Sequence, residues 1–289
     1  MKKPGLLLLL SLSVLGAVAA AWLGIAHSRR RQAEEAPLSD RDVLWEENPQ
    51  IRRWALEAQL AITGWEWVEQ LGQEIAVFET VFWEPRDTTS LREWLTGPAA
   101  LEDKTVLEIG TGSGLLALCC LHAGAQRVVA TDVNPSALCN TFYNAHNLCL
   151  NKGLELRRVP LDDAGAFSVI EGAEKFDYVV SNPPWEDDVP EAIDDYAYYD
   201  PGFQLLRSLL EGLEDHLEPG GKALLAYGSR EAIQTVLRVA PEYGLEVRVL
   251  DDRDPSHLPP TFLPGMMLEV VPVEVTGGRP ELPWDEGVQ

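Results

Sequence analysis

Positive charge is scarce beyond the first 31 residues. Five basic residues (Lys2, Lys3, Arg29, Arg30 and Arg31) precede the first acid, Glu34, and 18 basic against 46 acidic residues follow, a net charge of −28. A body so charged repels phosphate backbones unless a local basic patch overrides its field. No such patch is present, which speaks against nucleic acid as a partner. Cysteine is sparse too. Cys119, Cys120, Cys139 and Cys149 form no Cys-x-x-Cys pair and have no histidine at zinc spacing, so a structural zinc site has no signal. All four fall in apolar, helix-like stretches and read as reduced core thiols, which suits a reducing compartment. His122, His146 and His216 likewise lack partner spacing. No internal repeat is visible, so a solenoid is excluded. With 46% hydrophobic residues, the chain can build a sizeable core.

Charge is also missing from residues 6–26, a run of 21. A helix of that length spans about 30 Å, the thickness of a bilayer's hydrocarbon core. Two lysines precede the run and three arginines follow it, like the flank of an uncleaved anchor, and it exceeds the apolar region of a cleavable signal, the rival reading. Residues 1–31 are thus expected to anchor the protein in a membrane by a single span. Residues 32–39 read as a linker. Residues 40–100 read as a helical and hairpin extension, with a helix across 40–64, a hairpin from 65–71 and 75–83, and a short helix reaching residue 95. Residues 277–289, rich in Pro, Gly and acid, read as a flexible tail.

Between residues 101 and 276 the pattern is alternating. Strands are expected at 105–109, 127–131, 154–159, 176–181, 222–227, 245–250 and 266–275. Helices fall between them at 114–123, 135–147, 164–171, 203–217 and 231–243. Strands alternating with helices imply βαβ units, hence a doubly wound, mostly parallel seven-stranded sheet of Rossmann-like form. The last strand, joined by a loop without helical pattern, is expected to pair antiparallel with the sixth. In such sheets ligands bind where the carboxyl ends of the strands share an edge.

Three such ends carry chemistry. The first is Glu108-Ile-Gly-Thr-Gly-Ser-Gly114, where glycines allow a tight turn and close approach of backbone to ligand. A dinucleotide fingerprint wants a glycine at position 115, where this chain has leucine, and no Gly-Lys-Ser/Thr follows to make a phosphate loop. The second is Asp132, 18 residues after Gly114, placed to take both hydroxyls of a ribose. Asp162, after the third strand, is placed to accept from an adenine amine. The third is Asn182-Pro-Pro-Trp185. Two prolines end a strand abruptly because they cannot donate to its ladder. The Asn182 side chain and the Pro183 carbonyl can hold both protons of an NH₂ group, and Trp185 offers a flat face beside them. Catalysis of that kind rests on orientation and electrostatics.

Val106-Leu-Glu-Ile-Gly-Thr-Gly-Ser-Gly114, Asp132, Asp162 and Asn182-Pro-Pro-Trp185 together resemble the motifs of seven-strand S-adenosyl-L-methionine-dependent methyltransferases. More narrowly they resemble the methyltransferase small domain group, which includes release-factor glutamine and ribosomal RNA guanine N2-methyltransferases. The resemblance covers residues 77–275. It implies that Glu108, Gly110, Gly112 and Gly114 hold the methionine part of the cofactor, Asp132 the ribose and Asp162 the adenine. It implies catalytic roles for Asn182, Pro183 and Trp185 at the acceptor nitrogen, with Asn182 also expected at the cofactor. Trp83-Glu-Pro-Arg-Asp-Thr-Thr89 resembles the loop preceding the fold in glutamine methyltransferases, so Thr88 and Thr89 are expected at the cofactor, with Phe82 or Trp83 walling it. Three features depart from the family, the first being a short amino-terminal segment with an apparent anchor in place of the soluble helical domain that grips release factors. Trp185 stands where glutamine methyltransferases usually carry tyrosine, and residues 186–200 form an acidic, tyrosine-bearing lid of unfamiliar text.

The expectation is an N-methyltransferase acting on an amide or amino nitrogen of a protein or small molecule. Because the cofactor is a cytosolic metabolite, the catalytic domain is expected on the cytoplasmic side of the membrane. Two alternatives remain at this point. One is an RNA base N-methyltransferase, against which the charge speaks. The other is a non-catalytic, membrane-tethered S-adenosylmethionine-binding protein, which would need no acceptor clamp.

Overall fold

The computed structural model describes residues 48–98 and 101–273. The expected anchor, linker and tail lie outside the described residues. Among the described residues no helix is long and apolar enough to cross a membrane.

The described chain begins with α1 (Pro49–Ala55), where Asn48 Oδ1 accepts from the first-turn amides of Gln50 and Ile51. A helix through residue 64 does not form. Residues 62–68 are β1 (Ile62–Val68), paired antiparallel with β2 (Gln73–Phe78). Ile62, Thr63, Trp65 and Trp67 are β-branched or aromatic, and here strand propensity outweighs the helical spacing of the residues before them. Gly72, at φ +59°, makes the turn. A 3₁₀ turn (Pro85–Thr88) then leads into α2 (Thr89–Leu95).

The main sheet follows in the expected order: β3 (Thr105–Ile109), α3 (Leu115–His122), β4 (Arg127–Asp132), α4 (Pro135–Asn147), β5 (Leu154–Arg158), β6 (Phe176–Ser181), α5 (Gln204–His216), β7 (Leu217–Tyr227), α6 (Arg230–Val239), β8 (Leu245–Val249) and β9 (Met266–Pro272). The spatial order is β5-β4-β3-β6-β7-β9-β8. All pairs are parallel except those of β9, which runs antiparallel to β8, as expected, and also to β7. β9 therefore slots between its predecessors, a position that pattern alone does not reveal.

Alternate residues of each strand face opposite layers. Leu107, Val129 and Val179 pack under α5 and α6, whereas Val106, Val128, Ala130 and Val180 pack under α2 and α3. Helix α3 is buried from Leu115 to Leu121 and so is apolar all round.

Two further expectations are corrected. No helix forms at 164–171: a 3₁₀ turn (Leu161–Asp163) is followed by irregular chain laid along α5. The Ala166 amide donates to Ser208 Oγ at 2.9 Å, and the Phe167 ring stacks on His216 at 4.5 Å. Gly212 makes room for that ring, since a Cβ there would lie 2.4 Å from it. These contacts outweigh a weak helical propensity. Cys149 is exposed just beyond α4, while the other three cysteines are buried.

The hairpin is clamped to α4 by two buried asparagines. Asn144 Oδ1 accepts from the Ala76 amide at 2.8 Å and Asn140 Oδ1 from the Phe78 amide at 2.9 Å. Both side-chain amides donate back to the Ala76 carbonyl. Each such bond contributes about 1 kcal/mol. Together they satisfy an edge strand that would otherwise be open, and the segment after β2 is tied to the turn after β4, where Asn134 Nδ2 donates to the Thr80 carbonyl.

Candidate active site

The carboxyl ends of β3, β4, β5 and β6 open into a cavity of about 690 Å³. That is within the usual size of a pocket for a small ligand. Its floor is the turn after β3. The Gly110 and Thr111 amides both donate to the Thr131 carbonyl, at 3.0 and 2.9 Å. Gly110 and Gly112 sit at φ +74° and +55°, and a Cβ on either would project into open space. This is a cradle that only glycine leaves empty without strain. Gly114 has a different task. At φ +84° it starts α3 outside the cavity lining, and a Cβ there would lie 2.8 Å from Thr141.

Two carboxyls, Glu108 buried and Asp132 half-buried, hold the cradle. Glu108 accepts from Thr111 Oγ1 at 2.6 Å and from the Ala117 amide at 3.2 Å, and burial pushes its pKa up to about 8. Asp132 accepts from the Gly112 amide at 3.0 Å and the Asn134 amide at 2.8 Å. Burial raises it to about 6, against the opposing pull of those amides. Both carboxyls line the cavity.

The opposite wall is the end of β6. Ser181 Oγ donates to the Ile109 carbonyl at 2.6 Å and ties β6 to β3 at the cavity floor. Asn182, Pro183 and Pro184 line the cavity. Asn182 Oδ1 is buried and has no hydrogen-bond partner within the protein. A buried acceptor of this kind is costly unless a ligand satisfies it. Trp185 is elsewhere: its Nε1 donates to the Ala226 carbonyl at 3.2 Å, and its ring fills the space a Cβ on Gly228 would occupy. It is absent from the cavity lining, so the flat face expected beside the acceptor is turned into the fold.

Asp162 stands exposed at the rim, on the 3₁₀ turn after β5. Thr88 is buried in the lining, whereas Thr89 lies outside it and its hydroxyl faces the Pro85 carbonyl at 3.4 Å. Phe82 and Trp83 both wall the cavity, and Phe82 meets the edge of Tyr198 at 5.4 Å. Tyr196, Tyr199, Asp194 and Asp200 of the lid line it too. The lid closes on itself, with the Trp185 and Glu186 amides donating to the Tyr198 carbonyl at 3.1 and 3.0 Å and the Asp200 amide to the Glu186 carbonyl at 2.8 Å. Thr80, Asn134 and Gln204 also line the cavity. The motif reading passes over all three. Asn134 is visible as a helix cap before Pro135, but Thr80 and Gln204 belong to no pattern.

The family profile described as ribosomal protein L11 methyltransferase (PrmA) matches residues 87–183. A release factor glutamine methyltransferase of Cereibacter sphaeroides is 32% identical over 200 residues, 62% of this chain and 69% of that protein. Another of the same name from Koribacter versatilis is 28% identical over 226 residues, 71% of this chain and 78% of its own length. A 16S rRNA N2 methyltransferase from T. thermophilus, solved with AdoMet and guanosine, shares the fold at TM-score 0.52 and 18% identity, covering 73% of this chain and 51% of that one. The protein is an S-adenosylmethionine-dependent methyltransferase, and S-adenosylmethionine is its cofactor. It belongs to the family of the release factor glutamine methyltransferases.

Proposed function

We propose that this protein transfers a methyl group to a side-chain amide nitrogen of a protein, with glutamine as the acceptor residue. The observation that carries the reading is the buried, unpartnered Oδ1 of Asn182 in the cavity wall. An acceptor atom there, next to a proline carbonyl, suits the two protons of an NH₂ group. The relatives named for glutamine methylation favour an amide over an amine.

The cradle fits the cofactor. Gly110 and Gly112 leave room against the backbone for its methionine part, Asp132 offers a carboxylate to the ribose, and Asp162 stands at the rim for the adenine. Thr88, Phe82 and Trp83 complete the wall around it. Bound S-adenosylmethionine supplies an electrophilic methyl group on a sulfonium. Asn182 and Pro183 would hold the protons of the acceptor amide and turn its nitrogen towards that methyl. The new N–C bond replaces the methyl–sulfur bond, S-adenosylhomocysteine leaves, and the amide gives up one of its two N–H protons, ultimately to solvent. The lid, with Tyr196 and Tyr199, excludes water from the acceptor. The uncharged run at residues 6–26 extends the reading to a membrane-tethered enzyme whose catalytic domain faces the cytoplasm. Alkaline extraction of membranes carrying the full chain tests that part, and release into the soluble fraction would refute it.

The activity test incubates the full chain with methyl-labelled cofactor and a cell extract, then locates the label by mass spectrometry. The expected product is a protein glutamine heavier by one methyl group. Label confined to RNA would overturn the reading in favour of base methylation, and label on a carboxyl or a lysine would overturn the amide assignment.

A further inference from the structure

Thr80 combines two costly features at the same residue. It sits at φ +62°, in the left-handed region that β-branched residues avoid. Its hydroxyl is buried with no hydrogen-bond partner in the protein. Of the four described non-glycine residues at positive φ (Thr80, Asp103, Cys149 and Phe203), only Thr80 lines the cavity. A turn with no other duty would be served by Gly or Asn, which adopt this conformation readily and leave no buried hydroxyl.

The surrounding structure enforces the conformation. The asparagine clamp on α4 holds β2 up to Phe78. Two residues on, the Thr80 carbonyl accepts from Asn134 Nδ2 at 2.7 Å. The Asn134 backbone amide in turn donates to Asp132 at 2.8 Å. Thr80 is therefore two hydrogen bonds away from the carboxylate assigned to the ribose. Strain and an unsatisfied polar atom that persist together at a cavity wall point to a ligand that uses them.

We propose that the Thr80 hydroxyl is a cofactor contact, hydrogen-bonded to the nucleoside half of S-adenosylmethionine. This rests on the cofactor reading of the cavity and adds a residue that lies in none of the sequence motifs. The strained backbone aims the hydroxyl at the ligand, and the bound nucleoside supplies the missing partner.

Calorimetric titration of the full chain tests it, using S-adenosylmethionine, S-adenosylhomocysteine and 5′-methylthioadenosine, which share the nucleoside half. Thr80→Val removes the hydroxyl and keeps the shape. It is expected to weaken all three ligands by a similar factor, about three- to tenfold for the loss of one hydrogen bond. Thr80→Ser restores the hydroxyl and is expected to bind nearly as the wild type does. Thr80→Gly relieves the strain, so its ligand-free melting temperature is expected to rise while its affinity falls as in Thr80→Val. This opposed pair of changes would not arise at a merely structural turn. Asp132→Ala serves as the reference. Weakened binding in Asp132→Ala with unchanged binding in Thr80→Val overturns the Thr80 contact alone. Unchanged binding in both overturns it together with the cofactor reading of the cavity. A loss for S-adenosylmethionine without one for 5′-methylthioadenosine refutes the nucleoside assignment.

Discussion

The two walls of the cavity are built on opposite principles. On the β3–β4 side the named polar groups are satisfied from within. Glu108 is held by Thr111 and Ala117, Asp132 by Gly112 and Asn134, and the cradle amides by Thr131. At the end of β6, and on the segment after β2, polar atoms are buried and left over: Asn182 Oδ1 and Thr80 Oγ1. A satisfied wall keeps its shape without ligand, whereas an unsatisfied one is completed by what binds. The difference separates the part of the site that can exist as a rigid frame from the part that waits for its ligands.

The sharpest break is expected at Asn182. In Asn182→Ala, turnover should fall about 100-fold or more, the scale of one lost positioning group at a reacting centre. Cofactor affinity measured by calorimetry should stay near the wild-type value. A parallel loss of cofactor binding would show that Asn182 belongs to the rigid frame instead. The next effect concerns Asp132. Asp132→Ala should raise the cofactor dissociation constant about 10- to 100-fold, as expected for hydrogen bonds to a charged acceptor. An unchanged constant would contradict the ribose assignment.

The frame also predicts a pH response. Glu108 and Asp132 have folded-state values of about 8 and about 6, raised by burial above the usual carboxyl range. A carboxyl whose folded value is raised contributes stability while protonated and loses it as pH rises through the folded value. The ligand-free protein should therefore melt at progressively lower temperature between about pH 4 and pH 8. Glu108→Gln, which stays neutral, should flatten the upper part of that slope, and an identical slope in the variant would remove Glu108 as its source. The smallest expected effect is at Trp185. Trp185→Phe loses the bond to the Ala226 carbonyl, about 1 kcal/mol of stability by chemical denaturation. Its turnover per folded molecule should hold. A large loss of turnover with intact stability would place the indole at the acceptor after all.

Much of the frame is legible in the residues. β3, β4 and β6 are each a run with β-branched residues that stops at a polar or glycine-rich turn, so period and punctuation agree. The placement of Gly110, Gly112, Asp132 and Asn182 at the cavity is readable for the same reason: it is set by local backbone geometry at a strand end. What misleads is any residue whose task is set from far along the chain. Gly114 belongs to the same glycine run but answers to Thr141 on α4. Trp185 looks like an acceptor platform until Gly228, on another strand's exit, offers its ring a pocket. Residues 164–171 carry a helical pattern that loses to contacts with Ser208 and His216. Thr80 has no signal at all, because its strain arises only once the hairpin is clamped to α4.

The residues alone determine an alternating α/β sheet, a glycine-rich turn without dinucleotide spacing, and an Asn-Pro-Pro stop at a strand end. These follow from side-chain period, from the freedom of glycine and from the missing N–H of proline, all of which act within a few residues. Only the tertiary structure decides which polar atoms of the cavity are satisfied, where Trp185 turns, where β9 slots in and how Thr80 is strained. Hydrogen-bond satisfaction and packing are properties of neighbours in space, and in this fold those neighbours come from β2, α4 and the exit of β7.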